Sequence, residues 1–270
     1  MLHHIEHSLI EVLKLIPFLF ASFIIMELIE HKLNNQKKLK KINKFGPLAG
    51  ATLGIVPQCG FSALASNLYA AKVITLGTLF SIYLSTSDEM LPILISNKTE
   101  AKVIIKILFI KFLIALLIGI IVDIFYKKKN KIEIHDFCED EHCHCEKGII
   151  KSSIIHTLKI TIFIFIINIL VSLIIDKEFI IDFISNNKIL SPLITSIIGL
   201  IPNCASSVII TELYIQNLIP FGSCISGLLA GSGVGLLILF KQNKQKKENI
   251  IILLILIIVS SLFGIIFNIV

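Results

Sequence analysis

Residues 54–62 read GIVPQCGFS, and residues 199–207 read GLIPNCASS. Each stretch lies inside an apolar run, yet each gathers glycine, proline, a side-chain amide, cysteine and serine. Proline removes a backbone donor and clashes with the turn before it, while glycine permits backbone that other residues resist. Together they free amide and carbonyl groups, which hydrocarbon does not tolerate unless they lie inside protein or beside a water-filled cavity. Each stretch therefore reads as a break in a membrane helix that faces the interior, and the break reads as the binding site.

Outward from these stretches the chain is apolar. Of 270 residues, 55% are hydrophobic and only 16% charged, with a mean hydropathy of +0.88. The charges cluster, leaving runs of about 18–27 residues that match a hydrocarbon core of roughly 30 Å. Candidate spans are 8–31, 45–71, 73–97, 103–126, 152–176, 189–215, 217–240 and 250–269. The first has an acidic, histidine-bearing flank (HHIEHS) in place of a basic one and is expected to remain as a helix. All 25 basic residues are Lys, with no Arg, so bidentate phosphate recognition does not carry the function. The net charge of +6 belongs to loops, which argues against a nucleic-acid partner and for a lipid bilayer.

Sliding the sequence by 145 residues brings the halves into register without a gap. Pro47, Gly54, Pro57, Cys59 and Ser62 fall on Pro192, Gly199, Pro202, Cys204 and Ser207. Tyr69, Gly77, Ser81, Ser87 and Gly119 fall on Tyr214, Gly222, Ser226, Ser232 and Gly264. The expected fold is an all-α integral membrane protein of two homologous repeats with broken or re-entrant helices. Repeat one covers 1–125, a polar linker 126–150, and repeat two 151–270. Paired segments interrupted at corresponding positions are a mark of secondary transporters.

Lysine counts bear on topology. If 45–71 and 189–215 are re-entrant hairpins, the repeats are inverted. Residues 32–44 (six Lys), Lys72, the linker together with Lys151 (six) and 241–247 (four) then share the cytoplasmic side, 17 against five outside. If both segments cross fully, the repeats are parallel and the ratio is 15 to seven. Both obey the positive-inside rule; the inverted arrangement has the larger asymmetry and is preferred.

Within the breaks, Cys59 and Cys204 offer soft ligands suited to arsenite or late transition metals. A lone cysteine in such a place packs as a small hydrophobe; its duplication at a polar break favours the ligand. Pro57, Gln58, Ser62, Pro202, Asn203 and Ser207 complete the candidate cargo site, although such polar groups also serve helix–helix hydrogen bonding. Asp88 and Glu89, in STSDEM at 85–90, put acids inside a span, where they mark an ion path or proton relay, unless the span tilts them to an interface. The second half has GSGVG at 231–235 instead, read as room for close backbone approach. The linker carries HDFCEDEHCHCEKG at 135–148. There Cys138, His142, Cys143, His144 and Cys145 form a candidate exchangeable metal site that matches no zinc-finger spacing; a solvated charged tether is the plainer reading.

The two G-x-x-P-x-C-x-x-S motifs, the STSDE stretch and the His- and Cys-bearing central loop resemble the ten-transmembrane heavy-metal exporters, a family also labelled arsenic efflux proteins or manganese transporters. The resemblance covers nearly the whole chain. It implies efflux of a metal or metalloid, and it carries over Pro57, Cys59, Ser62, Pro202, Cys204 and Ser207. Ten segments fit eight candidates if 45–71 and 189–215 count as two half-segments each. The loop here is shorter and less histidine-rich than the family pattern.

The expected function is a permease for arsenite or a divalent heavy metal, working by alternating access at facing broken helices. Asp88 or Glu89 would carry a coupling charge, with a proton as coupling ion, and no tightly bound cofactor is expected. Two alternatives stand beside it: a manganese(II) exporter using Asp88 and Glu89, and a non-transporting membrane metal sensor. No GxxxxGK[ST] loop, HExxH pair or Ser/His dyad within a span points to an ATPase or an enzyme. The Lys-, Ile- and Asn-rich composition fits a bacterial cytoplasmic membrane.

Overall fold

The computed structural model describes residues 45–56, 59–87, 90–126, 190–202 and 204–269, with isolated positions between 16 and 24 and between 154 and 166. Among these residues every regular element is helical. The helices are α1 (Gly46–Gly54), α2 (Cys59–Ala70), α3 (Leu76–Ser85), α4 (Met90–Ser96) and α5 (Ala101–Phe125) in the first half. In the second they are α6 (Ser191–Gly199), α7 (Cys204–Ile215), α8 (Phe221–Ala230), α9 (Gly235–Gln242) and α10 (Lys246–Ile269). At an offset of 145 the helix bounds coincide, save for one residue at the ends of α9 and α10. The candidate spans 8–31 and 152–176 and the linker lie outside the described residues, apart from those isolated positions.

Both segments that carry the Pro–Cys motif are hairpins. Along α1, Gly46, Gly50 and Gly54 lie against Thr78, Ser81 and Ser85 of α3 in turn, so α1 and α3 run parallel. Only residues 71–75 join α2 to α3, so α2 must return toward the face from which α1 entered. The second half repeats this. The Pro192 carbonyl accepts a 2.6 Å hydrogen bond from Ser226 Oγ, and Gly199 abuts Gly227 and Ala230 further along α8.

The two hairpins open at opposite faces. Residues 71–75, Tyr126 and 243–248 share one, where Tyr126 Oη donates to Glu248 Oε1 at 2.7 Å. Residues 216–220 and the start of α5 share the other, where Lys106 Nζ sits 4.6 Å from the centroid of the Phe221 ring.

The span expected at 73–97 is itself interrupted, between Ser85 and Met90, and its counterpart between Ala230 and Gly235. Neither gap contains proline. Thr86 leaves the helical region (φ −52°, ψ 127°), and Gly233 takes a φ of 53° that favours glycine.

Among the described residues three stretches are long and apolar enough to cross a membrane: Ala101–Phe125, Phe221–Gln242 (counted across its interruption) and Lys246–Ile269. The first and last are only 28% buried over their most apolar window, against 89% for the second. Thus α5 and α10 lie at the periphery, with Phe109, Leu117, Ile124, Ile258 and Leu262 exposed where lipid would cover them, while α8–α9 is central.

Small residues set the closest approach. A Cβ on Gly77 would stand 2.1 Å from the Gly119 carbonyl oxygen, and one on Gly222 2.1 Å from that of Gly264. Beside the first contact, Asp123 on α5 caps α3. Its Oδ1 accepts from Gly77 N at 2.8 Å and its Oδ2 from Thr75 Oγ1 at 2.7 Å. Asn268 stands at the matching place and donates to Ser223 Oγ at 3.2 Å. Asp123→Ala leaves buried donors unmade, at about 1–3 kcal/mol, and should lower the melting temperature of the solubilised protein. Asp123→Asn, which copies the second half, should recover most of that loss.

Candidate functional site

The two helix interruptions are buried, with Thr86, Ser87, Ser232 and Val234 each at 2% exposure or less, and each hairpin tip lies against the interruption of its own half, Val56 at the first tip remaining 42% exposed. At each tip one helix ends and another begins, so unpaired carbonyls of the first and unpaired amides of the second face one region. Gly54 ends α1 and Cys59 opens α2; Gly199 ends α6 and Cys204 opens α7. Pro57, Gln58 and Asn203 lie outside the described residues, as do the side chains of Cys59 and Cys204. Pro202, three residues past the end of α6, is half-buried.

Hydrogen bonds tie tips to interruptions. Ser87 Oγ donates to the Ile55 carbonyl at 2.7 Å, fastening the α3–α4 gap to the first tip. Across the halves, Ser66 Oγ donates to the Gly235 carbonyl at 2.7 Å and lies 2.7 Å from Tyr83 Oη. Gly235 is the position where α9 lies on α2: a Cβ there would come within 2.8 Å of Ser62 Cβ. Ser62 is fully buried at that contact, and Ser207 is buried one turn before Thr211, whose Oγ1 donates to its carbonyl at 2.7 Å. Ser206 Oγ donates to the Ile201 carbonyl at 3.2 Å, at the second tip.

Ser232 breaks this pattern. It stands at Ser87's place in the second half and is 1% exposed, yet its hydroxyl has no hydrogen-bond partner. A buried hydroxyl without a partner costs free energy, so the α8–α9 gap carries a polar group that the α3–α4 gap satisfies through Ser87.

Asp88 and Glu89 fall in the α3–α4 gap and lie outside the described residues; their neighbours Ser87 and Met90 are both buried. Cys138, His142, Cys143, His144 and Cys145 lie outside them too. Among the described residues no three His, Cys, Asp or Glu side chains come together to hold a metal, and Cys224 is a buried free thiol. Glu212 on α7 is exposed, whereas its counterpart Asn67 on α2 is fully buried.

The residue that sequence reasoning missed is Lys111. It sits about 15 Å along α5 at 1.5 Å per residue, and it is 1% exposed. Its Nζ donates to the Thr86 carbonyl at the α3–α4 gap and, at 2.5 Å, to the Leu228 carbonyl of α8. One ammonium thus joins the halves at the level of the breaks. The signal was available, since a lysine in the middle of an apolar span is costly unless it is used.

Each hairpin mouth is lined by aromatic and polar side chains. On the first face Tyr69, Lys72, Tyr126, Asn243 and Glu248 surround a cavity of about 50 Å³. On the other, Tyr214 and Phe221 line a cavity of about 380 Å³. There the Phe221 ring packs edge-on between those of Tyr214 and Phe267, each at 6.0 Å.

The sequence matches the family described as "Putative, 10TM heavy-metal exporter" over residues 2–176 and again over residues 158–270. No curated protein and no solved structure matches.

Proposed function

The chain belongs to that family of ten-transmembrane heavy-metal exporters, and on this premise we propose that it carries a thiophilic metal or metalloid, with arsenite the leading candidate, out of a bacterial cytoplasm by alternating access. The family is one of multi-pass membrane transporters and not an enzyme class.

The observation that carries the reading is the placement of each hairpin tip against a buried helix gap, with α9 of one half lying on α2 of the other. Such an arrangement supplies backbone amides and carbonyls that a continuous helix would consume, in the one setting where membrane protein tolerates them. In this reading the halves, 1–125 and 151–270, are copies of one unit inserted in opposite orientations. Two things favour it: helix bounds that coincide at the constant offset, and hairpins that open at opposite faces. The face that carries Lys72 and 241–247 is then cytoplasmic, in keeping with the lysine asymmetry.

Cys59 and Cys204, as the first residues of α2 and α7, are assigned to ligate cargo, with Ser62, Ser207 and the amides of Gln58 and Asn203 beside them. Pro57 and Pro202 keep the tips unwound. Asp88 or Glu89 carries the coupling charge, with a proton as coupling ion. The linker thiols and imidazoles collect cargo before it enters.

A second cargo is favoured by Asp88 and Glu89 in the α3–α4 gap: carboxylates are ligands that manganese(II) prefers. Everted vesicles from cells expressing the chain should accumulate arsenite when a proton gradient is imposed and lose that accumulation when it is collapsed. Accumulation of manganese but not arsenite transfers the role to the second cargo. Accumulation of neither, with the protein present in the vesicles, rejects the transporter reading.

A further inference from the structure

Among the described residues one lysine, Lys111, is buried. The carbonyls that Lys111 Nζ engages belong to the C-terminal ends of α3 and α8. Such helix ends carry partial negative charge and unpaired oxygens. Two of them from different halves converge on one ammonium that is 1% exposed. Burying an isolated ammonium is prohibitively costly, and these two carbonyls are among the groups that receive the Lys111 ammonium at this depth. The converse also holds. Without that ammonium, two helix ends would direct oxygen dipoles into a buried pocket with no positive charge between them, beside a gap that contains Asp88 and Glu89.

We propose that Lys111 is a tethered substitute for a bound monovalent cation: the carbonyls of Thr86 and Leu228 form a cation site, and the lysine fills it permanently. The second half supports this through its difference. Leu256 occupies the position equivalent to Lys111 and is fully buried, so the duplicated helix does not need a lysine there in order to pack. The charge is specific to the place where the halves meet. Its consequence for transport, which rests on the exporter reading, is that the protein works without sodium or potassium. Cation binding itself does not depend on that reading and is measured without cargo.

The test uses the full chain in detergent. Lys111→Met removes the ammonium and keeps most of the side-chain volume; Lys111→Gln serves if the apolar variant does not fold. Melting is followed in sodium, potassium and N-methylglucamine chloride at equal ionic strength. The wild type should melt at one temperature in all three. The neutral variant should melt higher in sodium or potassium than in N-methylglucamine, by about 3 °C or more when the site is well occupied. Lys111→Arg, which keeps a cation in place, should show no such preference. A merely structural lysine would leave the neutral variants destabilised equally in all three salts, and that result overturns the proposal. In vesicles active with the wild type, the neutral variant should regain flux on addition of the stabilising cation. Flux that stays independent of sodium and potassium in a folded neutral variant also overturns it.

Discussion

Cys59→Ser/Cys204→Ser should lose the protection that the wild-type chain gives an efflux-deficient host against arsenite. Serine matches cysteine closely in shape, so the first turns of α2 and α7 should persist. What disappears is the soft donor, and a trivalent metalloid gains little from hydroxyl in exchange. If each thiol contributes even about 1.4 kcal/mol to holding cargo, the pair is worth about a hundredfold in affinity. Each single variant should lie between wild type and the double variant, because both hairpin tips would contribute one ligand to a shared site. Growth across a range of arsenite concentrations, at expression levels matched by immunoblot, measures this. Equal protection by the double variant would remove the cysteines from the cargo site and leave the carboxylate reading in possession.

Gly77→Val should abolish the folded protein, and Gly222→Val should do the same. At both places the added carbon would stand 2.1 Å from a backbone oxygen of the neighbouring peripheral helix. Backbone cannot rotate away as a side chain can, so α3 must part from α5, or α8 from α10. Ordinary overpacking costs about 1–3 kcal/mol, and displacing two membrane helices along their contact costs more because close packing is itself what associates them. Recovery of monodisperse protein after solubilisation should fall to about a tenth or less of wild type. Gly231→Ala is the control: the nearest atom to its new carbon is 3.4 Å away, and recovery should be unchanged. Normal recovery of either valine variant would mean that these helices do not touch as described.

Much of the architecture was legible because membrane proteins constrain backbone so tightly. The Gly, Pro and Cys positions repeated at a constant offset led to the two tips, and the helices start and stop where the repeat says they should. The interruption at 86–89 was harder to see. Nothing in STSDE breaks a helix by sterics, so its acids drew notice as buried charge while the end of α3 went unread. In the second half the cue was GSGVG, understood as room for a neighbour. Gly235 does provide that room, for Ser62, but Gly233 also turns the chain.

Lys111 was passed over for a different reason. One lysine barely alters the hydropathy of a 25-residue helix, and only its two carbonyl partners reveal its place at the junction. Those partners lie 25 and 117 residues away in sequence, and one of them is in the other half. Ser232 was visible as a repeat partner of Ser87, yet no sequence pattern announces that one hydroxyl is bonded and the other is not. The candidate linker ligands were recognisable by density alone, and density carries no geometry.

The most direct test asks whether the two tips border a water-filled space that cargo enters. In a chain with Cys138, Cys143, Cys145 and Cys224 replaced by serine or alanine, Cys59 and Cys204 are the remaining thiols. A water-soluble methanethiosulfonate reagent applied to membranes should modify both, and saturating arsenite should slow both reactions together. Two thiols that never react, or that react at the same rate with and without arsenite, would contradict a shared cargo site at the breaks.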